Sequence, residues 1–274
     1  MRPAPEMSMT TSTSAPGIEN AASDFYVDAL TRLGDARVPF LVGGSFAYSR
    51  YSKIDRDTKD FDIFLKREDV RRAFDVFEAA GYHTELPFPH WLGKVHWGEH
   101  FMDLIFSSGN GVARVDDQWF EHAVNHEILG MPLRLCPPEE LLWSKAFVQE
   151  RERFDGADVI HLLRELGPTL DWTRLLARFG DHWRVLFGSI VMFGFVYPDC
   201  RDRLPAWVTD ELLRRLREEP NERQNHICNG TLLSREQYLH DLDRLGYCDA
   251  RAVPNGPMTC KEIRTWTASI DEKK

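Results

Sequence analysis

Cysteine is scarce in this chain of 274 residues, which contains five, an odd number at scattered positions. A disulfide framework needs paired cysteines and an oxidising compartment, so we expect reduced thiols in a cytoplasmic protein. The group His226-Ile227-Cys228 offers too few ligands for a zinc site, and we interpret it as structural or incidental. The sequence therefore argues against the disulfide-rich secreted class.

Positive charge is also limited, with 34 lysines and arginines against 43 aspartates and glutamates and a formal net charge of −9. Proteins that bind nucleic acid usually carry a basic surface that neutralises phosphates. The composition therefore gives no strong signal for a nucleic-acid partner, although it does not exclude a local basic patch.

Long apolar runs are missing as well. The longest, residues 185–197, contains two glycines, and it falls short of the roughly 20 residues that a membrane-spanning helix needs. We interpret this run as a buried helix and expect no membrane association. Residues 1–20 are small and polar without a secretory signal, and we expect a disordered tail there.

Hydrophobic residues make up 43% of the chain and aromatic residues 12%, which is enough for a core. Two strand-rich blocks separated by helices in residues 21–136 favour an α/β or α+β sheet domain. From residue 137 the pattern changes, because Pro137-Pro138-Glu139-Glu140 is typical of a helix start. We therefore predict a mainly helical C-terminal region over residues 137–274.

Hydrophobic periodicity predicts the individual elements. In residues 21–136, helices are expected over 22–33, 68–80 and 118–123, and strands over 38–42, 61–65, 83–86, 92–96, 100–106 and 131–135. In the C-terminal region, helices are expected over 140–152, 155–166, 171–179, 182–196 and 206–218, and the last 55 residues indicate a helical segment bounded by loops.

The most informative motif is the turn Gly43-Gly44-Ser45, between the end of a predicted buried strand and a short helical pattern over residues 46–48. Glycines allow the backbone to approach a ligand that a Cβ would block. The N-terminus of the following helix offers free N–H groups to an anion. A lone turn of this kind is weak evidence, because such turns are common.

Three aspartates strengthen the motif. Asp60 and Asp62 flank Phe61 in a strand-like run, so both side chains should project to the same face. Asp103 lies inside an otherwise apolar strand, where an unpaired charge is costly. Adjacent carboxylates favour a hard cation such as Mg²⁺. The alternatives are a solvated strand end for the first pair, and an ion pair with Lys94 or Arg56 for Asp103.

The turn, the aspartate pair and the third strand aspartate together resemble the nucleotidyltransferases of the DNA polymerase β superfamily. More narrowly, they are similar to its small bacterial members, the minimal, aminoglycoside-modifying and abortive-infection toxin types. The resemblance covers about residues 36–165. It implies an α+β fold, a mixed sheet with flanking helices, and transfer of a nucleoside monophosphate from an NTP to an acceptor that the motifs do not identify.

Under this resemblance, residues 21–136 form the nucleotidyltransferase catalytic core. Asp60 and Asp62 would ligate two Mg²⁺ ions, with Mn²⁺ as a possible substitute. Asp103 would ligate the ion nearer the acceptor and also act as general base. The amides of Gly43 and Gly44 and the hydroxyl of Ser45 would hold the β- and γ-phosphates.

Lys145 is the next candidate implied by the resemblance, because toxin-type nucleotidyltransferases have a lysine on the helix after the core sheet that contacts the triphosphate. It lies among apolar residues in 141–147, and the alternative is a surface lysine. Further residues resemble the Arg/Asp cluster that follows in those families, namely Arg151, Arg153, Asp155 and Asp158. For this cluster the alternative is an exposed Glu150–Arg153 ion pair at i, i+3.

The loop before Asp60 carries Arg56, Thr58 and Lys59, which could contact phosphate or remain solvated. The spacer between Ser45 and Asp60 is longer than the resemblance leads us to expect, and residues 52–58 should absorb the extra length.

Histidines and tryptophans near the third aspartate are weaker candidates. His90, His96 and His100 surround that strand, but spacing of four in a hairpin does not converge on a metal as it does on a helix. His96 could instead shape the acceptor pocket. Three tryptophans could stack on a base, although single tryptophans are more often core residues: Trp91, Trp97 and Trp119.

The leading hypothesis is thus a metal-dependent nucleotidyltransferase acting on a small molecule, an RNA end or a protein side chain. Acidic charge slightly favours a small cationic acceptor such as an aminoglycoside. A non-catalytic nucleotide-binding or regulatory module is the alternative, although the presence of all three carboxylates disfavours it. A metal phosphohydrolase would need further His or Asp ligands in a coherent pattern.

Overall fold

A computed structural model of the protein describes residues 20–56, 60–219 and 226–269. The predicted tail over residues 1–20 therefore lies, except for its last residue, outside the described residues. Thr58 and Lys59, the two loop candidates closest to Asp60, lie outside them as well. Arg56 is described.

A seven-stranded mixed sheet forms the centre of the fold, and its strand order is β3-β4-β5-β2-β1-β7-β6. The strands are β1 Leu41–Val42, β2 Phe61–Phe64, β3 His83–Phe88, β4 Leu92–Trp97, β5 His100–Ile105, β6 Val124–Ile128 and β7 Met131–Leu135. β2 is central and pairs parallel with β5 and antiparallel with β1, which in turn pairs parallel with β7. The predicted α+β class with a mixed sheet is confirmed.

Four helices accompany this sheet: α1 Asn20–Asp35, α2 Gly44–Ser52, α3 Val70–Ala79 and α4 Asp117–Glu121. The predicted face of α1, with Phe25, Ala29 and Leu33 four residues apart, is buried in the core. Gly81 adopts a φ of +84° just after α3, as expected of a residue that closes a helix. α2 runs to Ser52, so a helix takes up much of the long spacer before Asp60.

The C-terminal region is mainly helical, as predicted. Its helices are α5 Pro138–Ala146, α6 Gly156–Leu166, α7 Trp172–Phe179, α8 Trp183–Val196, α9 Ala206–Glu218, α10 Leu239–Leu245 and α11 Cys260–Ala268. In the last part of the chain, two short strands, β8 Ile227–Cys228 and β9 Cys248–Asp249, pair parallel with each other in a separate two-stranded sheet. The division into units at residues 20 and 136 stays a prediction.

The segment after α5 differs most from expectation, because the helix predicted to continue to residue 152 ends at Ala146. The chain turns back on itself, and the N–H of Asp155 donates to the carbonyl of Val148 at 3.0 Å. The Glu150–Arg153 side-chain pair, which was the alternative to the Arg/Asp cluster, needed continuous helix here, and Arg153 pairs with Asp155 instead. Glu150 pairs with Arg235 instead. This reversal brings Arg153 and Asp155 towards Lys145, as described below.

Two strands also differ from the prediction, each for a local reason. The strand predicted over residues 38–42 is reduced to Leu41–Val42, directly before the Gly-Gly turn. β6 was not predicted, because its burial pattern shows only one fully buried residue, Ile128. A strand with so few core contacts carries little hydrophobic alternation in its sequence.

α8 contains the longest apolar run, and the prediction of a buried helix holds for only one of its faces. Leu186, Ile190 and Phe193 are buried, whereas Val191 and Phe195 are 60% and 81% exposed. Within the described part of the chain, no helix has both the length and the apolar character that crossing a membrane requires.

A buried ion cluster fixes α5, the helix that carries Lys145, to α7. Glu140 is fully buried and accepts hydrogen bonds from Arg174 Nη1 at 2.5 Å and Arg178 Nε at 2.9 Å. Arg178 also binds both carboxylate oxygens of Asp116, the N-cap residue of α4. An unpaired buried charge is strongly destabilising, so this pairing matters for stability. Two buried atoms of the cluster, Glu140 Oε2 and Arg174 Nε, have no hydrogen-bond partner among the described residues.

We predict that Glu140→Ala lowers the free energy of unfolding by about 3–5 kcal/mol, because it leaves two largely buried guanidinium groups without this partner. Urea denaturation would measure the change. Glu121→Ala, at an exposed position on α4, is the control and should stay within about 0.5 kcal/mol of the parent protein. A loss below about 1 kcal/mol for Glu140→Ala would show that the cluster does not hold the helices together.

Candidate active site

The Gly43-Gly44 turn lies directly against the central strand β2. The Gly43 N–H donates to the carbonyl of Asp62 at 2.9 Å, and Gly44 adopts a φ of +52°. A Cβ at Gly44 would lie 1.7 Å from Asp62 Oδ2 and 2.9 Å from Asp62 Cβ, and one at Gly43 would lie 2.1 Å from the Phe64 ring. Both positions therefore require glycine for steric reasons.

This geometry refines the predicted phosphate turn. α2 begins at Gly44, one residue earlier than expected, and Ser45 is its second residue. Helices leave the N–H groups of their first turn without intrahelical partners, so Gly44 and Ser45 lie where such groups are found. The Gly43 N–H, predicted to hold phosphate, is instead engaged with Asp62, and Gly43 contributes space for the close approach.

The three predicted carboxylates come together beside this turn. Asp62 and Asp103 are paired in register on the parallel strands β2 and β5, and Asp60 directly precedes β2. Burial raises the pKa of Asp62 to about 7, and the negative charges of Asp103 and Asp60 add to the effect. Burial also raises the pKa of Tyr26 on α1 to about 12, and the negative charges of all three carboxylates add to this rise.

Asp103 is paired with a lysine, which was one of the two alternatives for it. Lys94 Nζ lies 2.5 Å from Asp103 Oδ1, whereas Arg56 is bound elsewhere. Burial raises the pKa of Asp103, although the hydrogen bond and charge of Lys94 oppose that rise. Among the described residues, no group of three or more His, Cys, Asp or Glu side chains is arranged to hold a metal ion.

Lys145 is not the surface lysine of the alternative hypothesis, because its side chain is only 12% exposed. Its ammonium donates to Asp155 Oδ2 at 3.0 Å and to Asp158 Oδ2 at 2.8 Å. Arg153 binds both oxygens of Asp155, and Arg56 binds both oxygens of Asp158. Three members of the predicted Arg/Asp cluster, Arg153, Asp155 and Asp158, are thus assembled at Lys145, whereas the fourth, Arg151, is exposed.

The charges of this cluster act on one another and on the carboxylates of the sheet. Burial alone would raise the pKa values of Asp155 and Asp158, but hydrogen bonds from the arginines and the charge of Lys145 hold both below their ordinary range. The charges of Arg153 and Lys145 also oppose the rise in the pKa of Asp62. The cluster therefore lies within electrostatic reach of the carboxylate site.

Tyr48 on α2 links the turn to this cluster, and it was not among the residues predicted for the site. Its hydroxyl lies 2.9 Å from Nδ1 of His161 on α6. The guanidinium of Arg56 lies 4.4 Å from its ring centroid and the ammonium of Lys145 lies 5.6 Å away. Contacts of cations with an aromatic face are favourable. Tyr48 lies one helical turn after Gly44, so the i, i+4 spacing could have indicated that it is near the turn. No such local spacing indicates His161.

The histidines near β5 have other partners. His96 Nε2 lies 3.0 Å from Glu85 Oε1, and His90 Nε2 lies 3.0 Å from the carbonyl of Gly109. Of the tryptophans, Trp119 is fully buried and packs on Phe64, whereas Trp97 is 52% exposed.

The described fold is similar to nucleotidyltransferases of known structure. The antibiotic-resistance factor ANT(2'')-Ia matches with a TM-score of 0.44 and 14% identity, over 64% of this chain and 97% of that protein. The lincosamide antibiotic adenylyltransferase LnuA, bound to lincomycin, matches with a TM-score of 0.38 and 16% identity, over 53% and 97%. The protein TM1012 from Thermotoga maritima matches with a TM-score of 0.34 and 12% identity, over 44% of this chain and 81% of that protein.

These three proteins are only 12–16% identical to this chain, and their TM-scores lie below 0.5. At such identities and scores they assign neither an activity nor a site residue to this chain. No protein-family model matches the sequence, and no curated protein matches it significantly. The function is therefore argued from the geometry of the site.

The close approach at Gly44 makes a sharp prediction. Gly44→Ala and Gly81→Ala both force alanine into a positive φ, which costs about 1–2 kcal/mol each. Gly81 faces open space, whereas a Cβ at Gly44 collides with Asp62. We expect Gly44→Ala to cost at least about 1–3 kcal/mol more than Gly81→Ala in urea denaturation. Equal losses in the free energy of unfolding for the two variants would mean that the turn does not approach Asp62 closely.

The crowding of carboxylates predicts a stabilising substitution. Asp62→Asn removes one of two like charges in register, so the metal-free protein should gain about 1–3 kcal/mol of stability at pH 8. Asp103→Asn is the matched control and should give no gain, because it deprives Lys94 of its partner. Urea denaturation in EDTA would measure both.

The stabilisation should depend on pH. With a pKa raised to about 7, folded Asp62 holds a proton that the unfolded chain has already lost, so its contribution to stability rises as pH falls from 8 to 5. The advantage of Asp62→Asn should accordingly shrink over that range. A variant less stable than the parent protein at pH 8 would contradict the crowding argument.

Proposed function

We propose that this protein is a nucleotidyltransferase that moves a nucleoside monophosphate from an NTP to an acceptor hydroxyl or amine with the help of Mg²⁺. The observation that supports it best is the contact between the Gly44 backbone and the Asp62 carboxylate, with Asp103 in register beside it. Nucleotidyl transfer consists mostly of positioning and charge stabilisation. An anion-binding helix N-terminus next to an acidic cluster meets both needs.

In this proposal the triphosphate lies at the N-terminus of α2. The N–H groups of Gly44 and Ser45 and the Ser45 hydroxyl would bind the β- and γ-phosphates. Gly43 would leave room for the phosphates, since its own N–H is engaged with Asp62. Backbone groups that are fixed in advance stabilise charge without reorganising during the reaction.

Lys145, on α5, would also bind the triphosphate. Its ammonium is held between Asp155 and Asp158, so it could exchange one carboxylate for a phosphate while keeping the other. The arginines that remain on these aspartates would compensate for that exchange. Lys145 would thus enter the site without leaving an unpaired buried carboxylate.

The donor set fits Mg²⁺ in its chemistry, because three carboxylates supply the hard oxygen ligands that this ion prefers. Asp60, Asp62 and Asp103 would hold it. Burial and, after it, the negative charges of Asp103 and Asp60 raise the pKa of Asp62, which indicates a need for a counter-charge there. The ion would neutralise charge on the triphosphate and on the leaving pyrophosphate. Mn²⁺ could substitute for it.

Asp103 would accept the proton of the acceptor. As the acceptor oxygen or nitrogen bonds to the α-phosphorus, the bond to the β-phosphate oxygen breaks and pyrophosphate leaves. The acceptor is a small molecule, an RNA end or a protein side chain. A chain with a net charge of −9 attracts amines, which favours a small cationic acceptor.

A non-catalytic nucleotide-binding module on the same fold is the second candidate. Two observations favour it: Asp103 is already neutralised by Lys94, and the described residues contain no preformed three-ligand metal group. Such a module would bind an NTP without cleaving it.

We predict that the protein binds at least one of ATP, GTP, CTP and UTP in the presence of Mg²⁺, and that Asp60→Ala/Asp62→Ala weakens this binding at least about tenfold, since the ion carries much of the attraction. Calorimetry with and without Mg²⁺ would measure it. Asp24→Ala, exposed on α1, is the control and should bind as the parent protein does.

Pyrophosphate release separates the two candidates. A transferase in long incubation should release pyrophosphate slowly with water as acceptor, and Asp103→Asn should abolish the release while largely keeping NTP binding. Binding without any pyrophosphate would favour the non-catalytic module. If none of the four nucleotides binds, both candidate functions are contradicted.

A further inference from the structure

Lys94 has a fixed place at the carboxylate site. Its ammonium lies 2.5 Å from Asp103 Oδ1, and the two side chains are only 23% and 17% exposed. The same ammonium lies 4.2 Å from the centroid of the Phe101 ring, a favourable position for a cation. Lys94 is therefore held at the site and is not a solvated lysine that meets Asp103 by chance.

The strand register explains why this lysine is there. Glu85 on β3, Lys94 on β4, Asp103 on β5 and Asp62 on β2 form one continuous row of partners across four neighbouring strands. Residues in register share one face of a sheet, and like charges opposite one another are destabilising. Lys94 is the cation of this row, and it neutralises one of the two adjacent aspartates.

We propose that Lys94 is the resident counter-ion of Asp103, and that a divalent cation entering the site on the side of Asp103 must displace it. The inference rests on the proposed function in taking the three aspartates as the cation site. Without nucleotide, the ammonium offsets the repulsion between Asp103 and Asp62. When the cation arrives, the two positive charges compete for the same carboxylate. Lys94 is thus a positioning residue, which acts through Asp103.

Substitution of Lys94 by methionine tests the competition, because it removes the charge and keeps the length of the side chain. Mn²⁺ binding on the side of Asp103, followed by the electron paramagnetic resonance of the free ion, should become about tenfold tighter, since the competing charge is gone. In EDTA the Tm should fall, because Asp103 and Asp62 then repel without compensation. The rise in Tm on adding Mn²⁺ should be larger than in the parent protein.

Two controls separate charge from packing. Lys66 is 25% exposed and pairs with Asp117 Oδ1, also at 2.5 Å, so Lys66→Met matches the exposure of the lysine and the ion-pair length away from the site, with a more exposed carboxylate as its partner. It should leave Mn²⁺ affinity unchanged. Lys94→Arg keeps the charge and should keep the affinity of the parent protein. If Lys94→Met does not fold, Lys94→Gln can still donate to Asp103 and carries the same expectation.

The outcomes distinguish this role from the proposed function. Unchanged or weaker Mn²⁺ binding in the neutral Lys94 variants would overturn the counter-ion role. If that occurs while Asp62→Ala abolishes Mn²⁺ binding, only the role of Lys94 fails. Mn²⁺ binding that survives Asp62→Ala, or none in the parent protein, would contradict the cation site and with it the proposed function.

Discussion

Two carboxylates side by side on neighbouring parallel strands constrain the rest of the site. Asp62 and Asp103 are in register, so their charges repel unless other groups compensate. Lys94 supplies a positive charge at Asp103 from the next strand. On the opposite side of Asp62 the Gly43-Gly44 turn closes so tightly that no side chain fits. Sheet register and turn geometry therefore both act on Asp62, from its two neighbouring strands.

Side chains of the helical region contact the helix that follows the Gly43-Gly44 turn and the loop after it. Tyr48, on the helix that begins at the turn, contacts His161 on α6, and Arg56 just after that helix binds Asp158 on α6. Lys145 on α5 completes the cluster. The position of α2, and with it the direction of the N–H groups of its first turn, consequently depends on residues more than a hundred positions further along the chain. A change in the helical region can reach the turn through these contacts.

Local patterns in the sequence predicted the parts of the site that a few consecutive residues determine. The Gly-Gly turn, the Asp60/Asp62 pair and the meander of β3, β4 and β5 belong to this group, because glycine freedom and strand alternation are local properties. The Lys94–Asp103 pair could be predicted only as one of two alternatives, since alternation gives the face of a residue while its partner depends on register. Lys145 was identified, but its two aspartate partners depend on the chain reversal after α5, where tertiary contacts override helix periodicity. The contact between Tyr48 and His161 joins residues 113 positions apart and has no local signal.

The cations around the carboxylates are themselves already paired: Lys94 with Asp103, Lys145 with Asp155 and Asp158, and Arg153 with Asp155. Under the proposed function, a triphosphate would therefore exchange existing ion pairs for new ones. Such exchanges gain little free energy, because breaking a partly buried pair offsets most of what the new pair contributes. In a chain with a net charge of −9, a polyanion also meets overall repulsion. The decisive attraction then has to come from charge that the ligand brings with it, which is what a nucleotide bound to a divalent cation supplies.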